Sequence, residues 1–268
     1  KMIKSNSQTN NYLLPKIIQN VKKNKEYSLL FNEELGQGSS GTVYAALDEN
    51  KQRVAMKLVC ITNIKQEFLD LLSREVDFCN QNTQNLLVCD NIVKYHDVFI
   101  YNDAKQKMRI VCFVMELCDH DLNSHPIGDE AELVSVLKQL CCAINVLHKN
   151  GLMHRDIKPA NIMFTAQKQL KLIDFGLCKQ IKNYKTTTIV GSHKYMDRRL
   201  IQSKGQLEYG FECDVYSLGV VVEEIVAENQ LDEQLAKTKK ILAVARSFCL
   251  DAVEQRGVLK DLMDLLDE

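Results

Sequence analysis

The sequence predicts an α+β fold with two lobes, a small first lobe with an antiparallel sheet and one main helix, and a larger second lobe that is mainly helical. Three observations support this prediction. Short strand-like runs bounded by turn residues fill most of residues 28–114, whereas helical periodicity dominates the second half. The 268 residues are enough for two lobes with a sizeable buried core. The composition changes near Cys118 and Asp119, which places the hinge there.

The first lobe is assigned to residues 28–117 and follows an N-terminal arm, residues 1–27. The arm is rich in Lys, Asn, Gln and Ser, and we expect a flexible segment or a short surface helix. One helix is predicted from about Phe68 to Cys79, because apolar residues recur there at helical spacing. The predicted strands of this lobe span residues 29–35, 42–47, 53–61, 92–100 and 108–115.

The second lobe is assigned to residues 118–268. An apolar stripe at 3.6-residue period from Leu133 to Leu147 predicts a helix that Gly151 ends. A loop-rich centre follows, over residues 152–207. Further helices are predicted at residues 215–226, which are apolar on most sides, and at 258–266, which are amphipathic.

Composition excludes several classes of protein. The 34 basic and 35 acidic residues give a net charge of −1, which argues against a bulk nucleic-acid or membrane-surface binder. We expect no membrane-spanning segment, because no apolar run approaches about 20 residues. The ten scattered cysteines suggest reduced thiols in a cytoplasmic protein, with the nucleus as a second location. Zinc binding is not expected at the one suggestive cluster, which lacks a Cys-x-x-Cys pair: Cys112, Cys118, His120 and His125.

A glycine cluster follows the first predicted strand. Gly36, Gly38 and Gly41 form a G-x-G-x-x-G pattern, and such small residues allow backbone N–H groups to close over phosphate oxygens. The next segment is strand-like rather than helical, which argues against a dinucleotide-binding fold. For this motif alone, a glycine-rich hairpin without a ligand stays open.

One lysine lies inside an apolar strand. Lys57 ends the run Val54-Ala55-Met56-Lys57, where an unpaired ammonium group would be costly. It therefore requires an anion from the helix that follows. We expect Glu75 to be that partner, because the alternative, Glu67, lies too near the start of the helix.

The strongest motif is His-Arg-Asp-Ile-Lys-Pro-Ala-Asn at residues 154–161. Asp174-Phe175-Gly176 follows, with Asp174 thirteen positions after Asn161. Together with the glycine cluster and Lys57, this ordered series resembles the eukaryotic protein kinase domain over about residues 28–267. The resemblance implies the bilobal protein-kinase fold.

The resemblance also implies a role for each matching residue. Lys57, held by Glu75, would orient the phosphates of ATP. Asp156 would accept the proton of the substrate hydroxyl, and Lys158 would neutralise charge on the transferring group. Lys158 also indicates a serine/threonine kinase rather than a tyrosine kinase. The implied Mg²⁺ ligands are Asn161 and Asp174.

Further nucleotide contacts are implied by the same resemblance. Met115 would be the gatekeeper that narrows the pocket behind the adenine. The other implied contacts are Gly36, Gly38 and Gly41 at the phosphates, Val43, Ala55 and Met163 around the base, backbone groups of Glu116 and Cys118 at its edge, and Asp121 at the ribose. Asp214 would anchor the catalytic loop, residues 154–161, from below, and His154 and Phe175 would stack in a column.

Two departures from the family pattern concern substrate engagement. Asp197-Arg198-Arg199 stands where the family has Ala-Pro-Glu. The resemblance implies that the family's glutamate pairs with an arginine near the last helix, which Arg256 matches, so Arg199 is expected to face a like charge. Either Arg199 turns outward or Arg256 recruits another acid such as Glu254 or Asp197, and Arg199→Glu is expected to stabilise the protein. The interval from Asp214 to Arg256 is also short, so the helix after residues 215–226 is expected to be cut down.

The predicted function is that of an active serine/threonine protein kinase that uses ATP and Mg²⁺ on a protein substrate. The alternative is a kinase-like, ATP-binding scaffold with little or no transfer, which would have no need for all of the charged motif residues. Neither nucleic acid nor a membrane is an expected partner. A regulatory partner or an upstream kinase acting on Thr186, Thr187 or Thr188 stays open. So does the subfamily, between stress-sensing kinases and never-in-mitosis-type kinases.

Overall fold

The computed structural model describes residues 3–4, 13–38, 41–84, 87–104, 106–181, 190–204, 206–250 and 257–268, with the side chains of residues 3, 4 and 13 left aside. Its contacts divide the chain into two units. Unit 1 comprises Lys1–Leu86 and Val93–Cys118, and unit 2 comprises Leu87–Ile92 and Asp119–Glu268. The predicted boundary after residue 117 therefore lies one residue early, and Leu87–Ile92 groups with unit 2.

Unit 1 contains a six-stranded antiparallel sheet in the order β3-β4-β5-β6-β8-β7. A separate two-stranded pair, β1 and β2, precedes it. The strands are β1 (Ile3–Lys4), β2 (Leu13–Leu14), β3 (Ile17–Asn20), β4 (Lys25–Gly38), β5 (Gly41–Leu47), β6 (Arg53–Cys60), β7 (Tyr95–Asp103) and β8 (Met108–Glu116). The five strands expected from the sequence are thus present, and β7 begins three residues later than predicted.

The predicted N-terminal arm is wrong for residues 17–27, because they form β3, the turn after it and the start of β4. Strand β3 pairs with β4, and the side chain of Ile18 is fully buried. The amide of Asn20 donates to the carboxylate of Asp97 at 2.7 Å, and Lys23 binds the same carboxylate at 2.6 Å. Since Asp97 lies in β7, these bonds join the two edge strands of the sheet.

The core of unit 1 has two layers, one on each face of the sheet. One face carries a cluster of buried side chains. Successive side chains of each strand point alternately to this face and to the other one. Helix α1 (Gln66–Thr83) is the one main helix predicted for this lobe. It packs on β7, where Phe78 and Tyr95 meet edge to face at 6.3 Å. The first cluster includes Ile18, Tyr27, Leu29, Tyr44, Met56, Leu58, Ile110 and Val114.

Unit 2 is mainly helical, as expected. Three of its helices match predicted segments. The shortened helix expected after residues 215–226 corresponds to α5, whose bounds were not predicted, and α3 was not predicted at all. The fully buried face of α5 carries Ile241, Ala245 and Phe248 at helical spacing. The helices are α2 (Glu130–Lys149), α3 (Arg198–Ser203), α4 (Glu212–Glu228), α5 (Ala236–Phe248) and α6 (Leu259–Asp267).

Two small sheets form the loop-rich centre of unit 2. Their strands are β9 (His120–Asp121), β10 (Leu152–Met153), β11 (Ile162–Phe164), β12 (Leu170–Leu172) and β13 (Lys179–Gln180). They pair in the order β12-β11-β9 and as β10-β13. Among the described residues, α2 alone is long and apolar enough to cross a membrane by length and composition, whereas the sequence predicted no such segment. Its apolar stripe is buried inside unit 2, and that is typical of a core helix.

Candidate active site

Strand β6 places Lys57 on the face of the sheet opposite the core cluster. Its neighbours Met56 and Leu58 point into that cluster, so alternation turns Lys57 the other way. The Lys57 ammonium lies 2.7 Å and 3.0 Å from the two carboxylate oxygens of Glu75 on α1. Both side chains are buried, and the expected pairing with Glu75 is present. A buried pair of this kind holds the lysine in one position.

Cross-strand register gathers several predicted nucleotide contacts around Lys57. Val43 pairs with Lys57 across β5 and β6, and Ala55 pairs with Met115 across β6 and β8. Paired residues share a face of the sheet, and so do residues two apart. Val43, Ala55, Lys57 and Met115 therefore lie on one face of unit 1.

The glycine cluster forms the end of the β4–β5 hairpin. Gly38 pairs with Gly41, and Gly36 pairs with Val43, while residues 39 and 40 lie outside the described chain. A methyl group on Gly36 would meet no atom within 4 Å, and one on Gly38 would approach only the Gly41 carbonyl oxygen, at 4.0 Å. The backbone at Gly36 and Gly38 is accordingly open to a ligand with phosphate oxygens. Gly41 is packed against β6 instead, because a Cβ there would lie 2.4 Å from the Leu58 carbonyl oxygen.

The predicted hinge residues end unit 1. Glu116 is the last residue of β8, and its carboxylate accepts from the backbone N–H of Lys94 at 2.7 Å. The Glu116 N–H donates to the Lys94 carbonyl at 2.9 Å. These two bonds tie the end of β8 to the segment before β7, and Cys118 follows as the last residue of the unit.

In unit 2, the Asp156 carboxylate is held by four donors. Lys158 Nζ lies 2.6 Å from Oδ2, and the Asn161 amide donates to the same oxygen at 2.9 Å. The backbone N–H and the hydroxyl of Ser192 donate to Oδ1 at 2.9 Å and 2.8 Å. Burial alone would raise the pKa of Asp156, but hydrogen bonds from Lys158 and Ser192 outweigh it and lower that pKa. The group is ionised at neutral pH.

A glycine brings Ser192 to Asp156. Gly191 has a φ of +117°, and a Cβ there would lie 2.4 Å from the carbonyl oxygen of Arg155. A larger residue would force this segment away from the catalytic loop. The Ser192 contact therefore depends on the absence of a side chain at residue 191.

The predicted metal ligands lie beside each other, Asn161 directly before β11 and Asp174 two residues after β12. The backbone N–H of Ile173 donates to the Asn161 carbonyl at 2.9 Å. Asp174 is the next residue after Ile173, so this bond brings it close to Asn161. The Asn161 amide nitrogen is bound to Asp156, which leaves its amide oxygen as the ligand atom. Asp174 adopts the left-handed conformation (φ 63°, ψ 78°), which is uncommon for a residue other than glycine.

These oxygen ligands fit Mg²⁺, which prefers carboxylate and carbonyl oxygen. Within the described part of the chain, no group of three or more His, Cys, Asp and Glu side chains could hold a metal. His120 and His125 instead bond to each other through ring nitrogens 2.9 Å apart.

The remaining two predicted nucleotide contacts lie side by side in unit 2. Met163 in β11 pairs with Asp121 in β9. The Asp121 carboxylate accepts from the Asn123 amide at 2.9 Å and from the Ser124 N–H at 3.1 Å. Asp121 thus also caps the short turn of 3₁₀ helix at Leu122–Ser124.

Asp214 supports the catalytic loop from α4. Its fully buried carboxylate accepts from the backbone N–H groups of His154 and Arg155 at 2.9 Å and 2.8 Å. His148 Nε2 lies 2.9 Å from the same group. Burial opposes ionisation of Asp214, but the hydrogen bond with His148 and the charges nearby lower its pKa. His154 also meets the Phe175 ring edge to face at 5.1 Å.

The segment that departs from the family pattern forms its own ion pair. Arg199 binds Asp197, with the shortest contact 2.6 Å, and the Asp197 carboxylate is fully buried. Arg199 therefore does not face a like charge as expected, because Asp197 neutralises its guanidinium group. Arg256, Glu254 and the threonines at 186–188 lie outside the described residues.

Two residues at this site were not singled out from the sequence. Ser192 is 36 positions from Asp156, and His148 is 66 positions from Asp214, so no local spacing reveals either contact. The one available signal was Gly191, because an isolated glycine marks a close approach of two backbones.

Comparisons with known proteins agree with this geometry. The family profile described as "Protein kinase domain" matches residues 29–261. The chain is similar to serine/threonine-protein kinase PAK 1 of Mus musculus, with 31% identity over 86% of this chain and 45% of that protein. It is also similar to serine/threonine-protein kinase STE20 of Candida glabrata, with 33% identity over 72% of this chain and 20% of that protein.

A third relative, serine/threonine-protein kinase PAK mbt of Drosophila melanogaster, is 34% identical over 73% of this chain and 29% of its own length. The chain spans less than half the length of these curated relatives. The names of all three contain PAK or STE20. They therefore differ from the two subfamilies that the sequence motifs suggested.

Proposed function

The chain belongs to the protein kinase family as a kinase domain of the eukaryotic serine/threonine type, and on that premise we propose that it transfers the γ-phosphoryl group of Mg-ATP to a serine or threonine hydroxyl of a protein. The observation that carries the proposal is the Asp156 carboxylate, ionised and fixed by Lys158, Asn161 and Ser192. A nucleotide-binding scaffold has no use for a carboxylate held in this way.

Asp156 acts on the substrate hydroxyl. Because its pKa is lowered, the carboxylate is available at neutral pH to accept a hydrogen bond from that hydroxyl and orient its oxygen. Lys158 lies 2.6 Å from Asp156 and supplies positive charge where the transferred group carries negative charge. Proximity and charge are the main contributions that a protein makes to this reaction.

Lys57 fixes the nucleotide phosphates from unit 1. Its buried partner Glu75 prevents the ammonium from turning to other anions. Asn161 and Asp174 are the residues that would hold Mg²⁺, which supplies charge neutralisation at the phosphate oxygens when bound. Val43, Ala55 and Met115 offer an apolar face beside Lys57 for the base.

The test is a transfer assay with purified protein, labelled ATP, Mg²⁺ and a generic basic protein, followed by phosphoamino-acid analysis. Asp156→Asn preserves shape and removes the ionised carboxylate, so transfer should fall at least about 100-fold. Asp232→Asn, at an exposed carboxylate of unit 2, is the matched control and should leave the rate unchanged.

Nucleotide binding, measured in parallel by thermal shift, separates the two candidate functions. The scaffold is favoured if the wild-type protein binds ATP but transfers no phosphate, and if Asp156→Asn gives the same result. Label on tyrosine alone would contradict the assignment of serine and threonine as acceptors.

A further inference from the structure

Two cysteines of unit 2 lie in contact without a disulfide between them. All ten cysteines fall in the described part of the chain, and none of them forms a disulfide there. The sulfur atoms of Cys89 and Cys142 are 3.9 Å apart. Cys89 is half-buried in the segment Leu87–Ile92, and Cys142 is exposed on α2.

Hydrogen bonds next to each cysteine hold this contact in place. The amide of Asn91, two residues after Cys89, donates to the Gln139 side-chain oxygen at 3.1 Å. Gln139 precedes Cys142 by three residues, so both side chains lie on one face of α2. The Asn91 amide also donates to the Leu170 carbonyl at 3.1 Å. The two sulfur atoms are thus brought together by a hydrogen-bonded anchor rather than by a chance approach of surface side chains.

The accessibility of the thiols makes Cys142 the first to react. Of the ten, Cys142 alone is exposed. Burial raises the pKa of three other cysteines, Cys112, Cys141 and Cys178, to about 12, so these thiols hold little thiolate at neutral pH. Burial also raises the pKa of Cys89, to about 11. Cys89 therefore suits the second, slower step of a two-step oxidation.

We propose that Cys89 and Cys142 form a thiol-oxidation site, at which peroxide converts the two thiols into an intramolecular disulfide. The Cys142 thiolate attacks one peroxide oxygen, the O–O bond breaks, and a sulfenic acid forms as hydroxide leaves and is protonated. The Cys89 thiolate then attacks the Cys142 sulfur and expels hydroxide, which becomes the second water. Two thiols and one hydrogen peroxide thus give one disulfide and two waters.

The disulfide would tie Leu87–Ile92 covalently to α2. The same segment already binds β12, because the Leu172 N–H donates to the Asn91 carbonyl at 2.8 Å. Strand β12 ends two residues before Asp174, a predicted metal ligand. Oxidation would therefore reinforce an existing anchor beside the candidate active site. The link also shortens the unfolded chain, which raises the melting temperature by several degrees.

The experiment treats the purified protein with hydrogen peroxide at pH 7 and pH 9, blocks remaining thiols with N-ethylmaleimide, and maps non-reduced tryptic peptides by mass spectrometry. The expected product joins peptide 75–94 to peptide 139–149 and disappears on reduction with dithiothreitol. Each peptide contains a second cysteine, Cys79 or Cys141, so the assignment comes from variants.

The joined peptide should vanish in Cys89→Ser and in Cys142→Ser and persist in Cys249→Ser, the matched control. Its rate of formation should rise about tenfold per pH unit, since the thiolate fraction of Cys89 limits the second step. The melting temperature should rise on oxidation of wild type and not of Cys142→Ser, whose fold is checked by circular dichroism. A Cys141–Cys142 bond, a dimer between chains, or overoxidised Cys142 beside alkylated Cys89 would overturn the proposal.

Discussion

At the scale of residues, Asp214 accepts hydrogen bonds on both carboxylate oxygens, and two of its three donors belong to the catalytic loop. Asp214→Asn keeps the shape but replaces one acceptor oxygen with an NH₂ group. That group would face a backbone N–H in a fully buried site, where two donors cannot satisfy each other. We expect a loss of about 2–4 kcal/mol in the free energy of unfolding, measured with urea.

The same variant should also lose phosphotransfer, because His154 and Arg155 position the segment that carries Asp156. The exposed carboxylate variant Asp232→Asn serves again as the control. Wild-type stability in Asp214→Asn would mean that the loop does not depend on this anchor.

A second residue-scale prediction reverses the one drawn from the sequence for Arg199. In the structure Arg199 binds the buried Asp197, so Arg199→Glu would set two carboxylates against each other and leave Asp197 without its cation. We expect the melting temperature to fall by about 4–8 °C, which corresponds to roughly 2 kcal/mol in a chain of this size. Arg198→Glu, at the exposed neighbouring position, should change it little. An increase for Arg199→Glu would restore the original expectation.

At the scale of elements, helices α4 and α5 cross at Gly219. A Cβ at this position would lie 2.6 Å from the Ala245 carbonyl oxygen and 2.8 Å from the Cys249 sulfur. In an open helix, Gly→Ala would stabilise by about 1 kcal/mol. Here the close approach to backbone reverses the sign, and we expect Gly219→Ala to destabilise by about 1–3 kcal/mol in chemical denaturation. Gly128→Ala, where the nearest atom would be 3.5 Å away, is the control and should be nearly neutral.

Three stacked rings in unit 2, those of His120, His125 and Phe164, make its stability sensitive to acid. His125 lies 4.0 Å from the Phe164 ring centroid and bonds to His120, and burial lowers the pKa of His125. Glu132, 3.5 Å away, favours the charged form, while Lys168 and His120 oppose it.

Because the folded pKa lies below the unfolded value of about 6.5, the unfolded chain binds more protons in mild acid. Stability is therefore complete above that pH and decreases as the pH falls below it. Urea titrations between pH 8 and pH 5 should show this decrease in wild type and a smaller one in His125→Phe. An equal decrease in both proteins would assign the effect to other groups.

At the scale of the whole molecule, the sequence predicted what local pattern and charge can specify. Alternation along β6 and the cost of a buried ammonium were sufficient to pair Lys57 with Glu75. Contacts between distant segments were not predictable, and the bond of Ser192 to Asp156 is one of them. The Asp197–Arg199 pair was not predicted, because the family resemblance implied Arg256 as the charge that faces Arg199. Helix α5 carries a regular apolar pattern at Ile241, Ala245 and Phe248, from which its position could have been predicted.

Strand β3 could not be predicted from its own four residues, because its contacts are with distant parts of unit 1. Four residues rich in amide side chains do not identify a strand, and the family profile begins only at residue 29. In the structure, however, Ile18 and Tyr27 fill the core of unit 1, and Asn20 and Lys23 bind the buried Asp97.

A chain that begins at residue 29 would leave Asp97 without these donors and open one side of the core. Loss of a partner to a buried charge costs about 3–5 kcal/mol, and each large core side chain adds about 2–5 kcal/mol. We expect the shortened chain to melt at least about 10 °C lower, with hydrogen exchange accelerated first in β4 and β7. Ile18→Asp should reproduce part of this loss, whereas Ile17→Asp, on the exposed face of the same strand, should not. Equal melting temperatures for the full and shortened chains would show that unit 1 folds without β3, and the boundary of the family profile would then be the boundary of the fold.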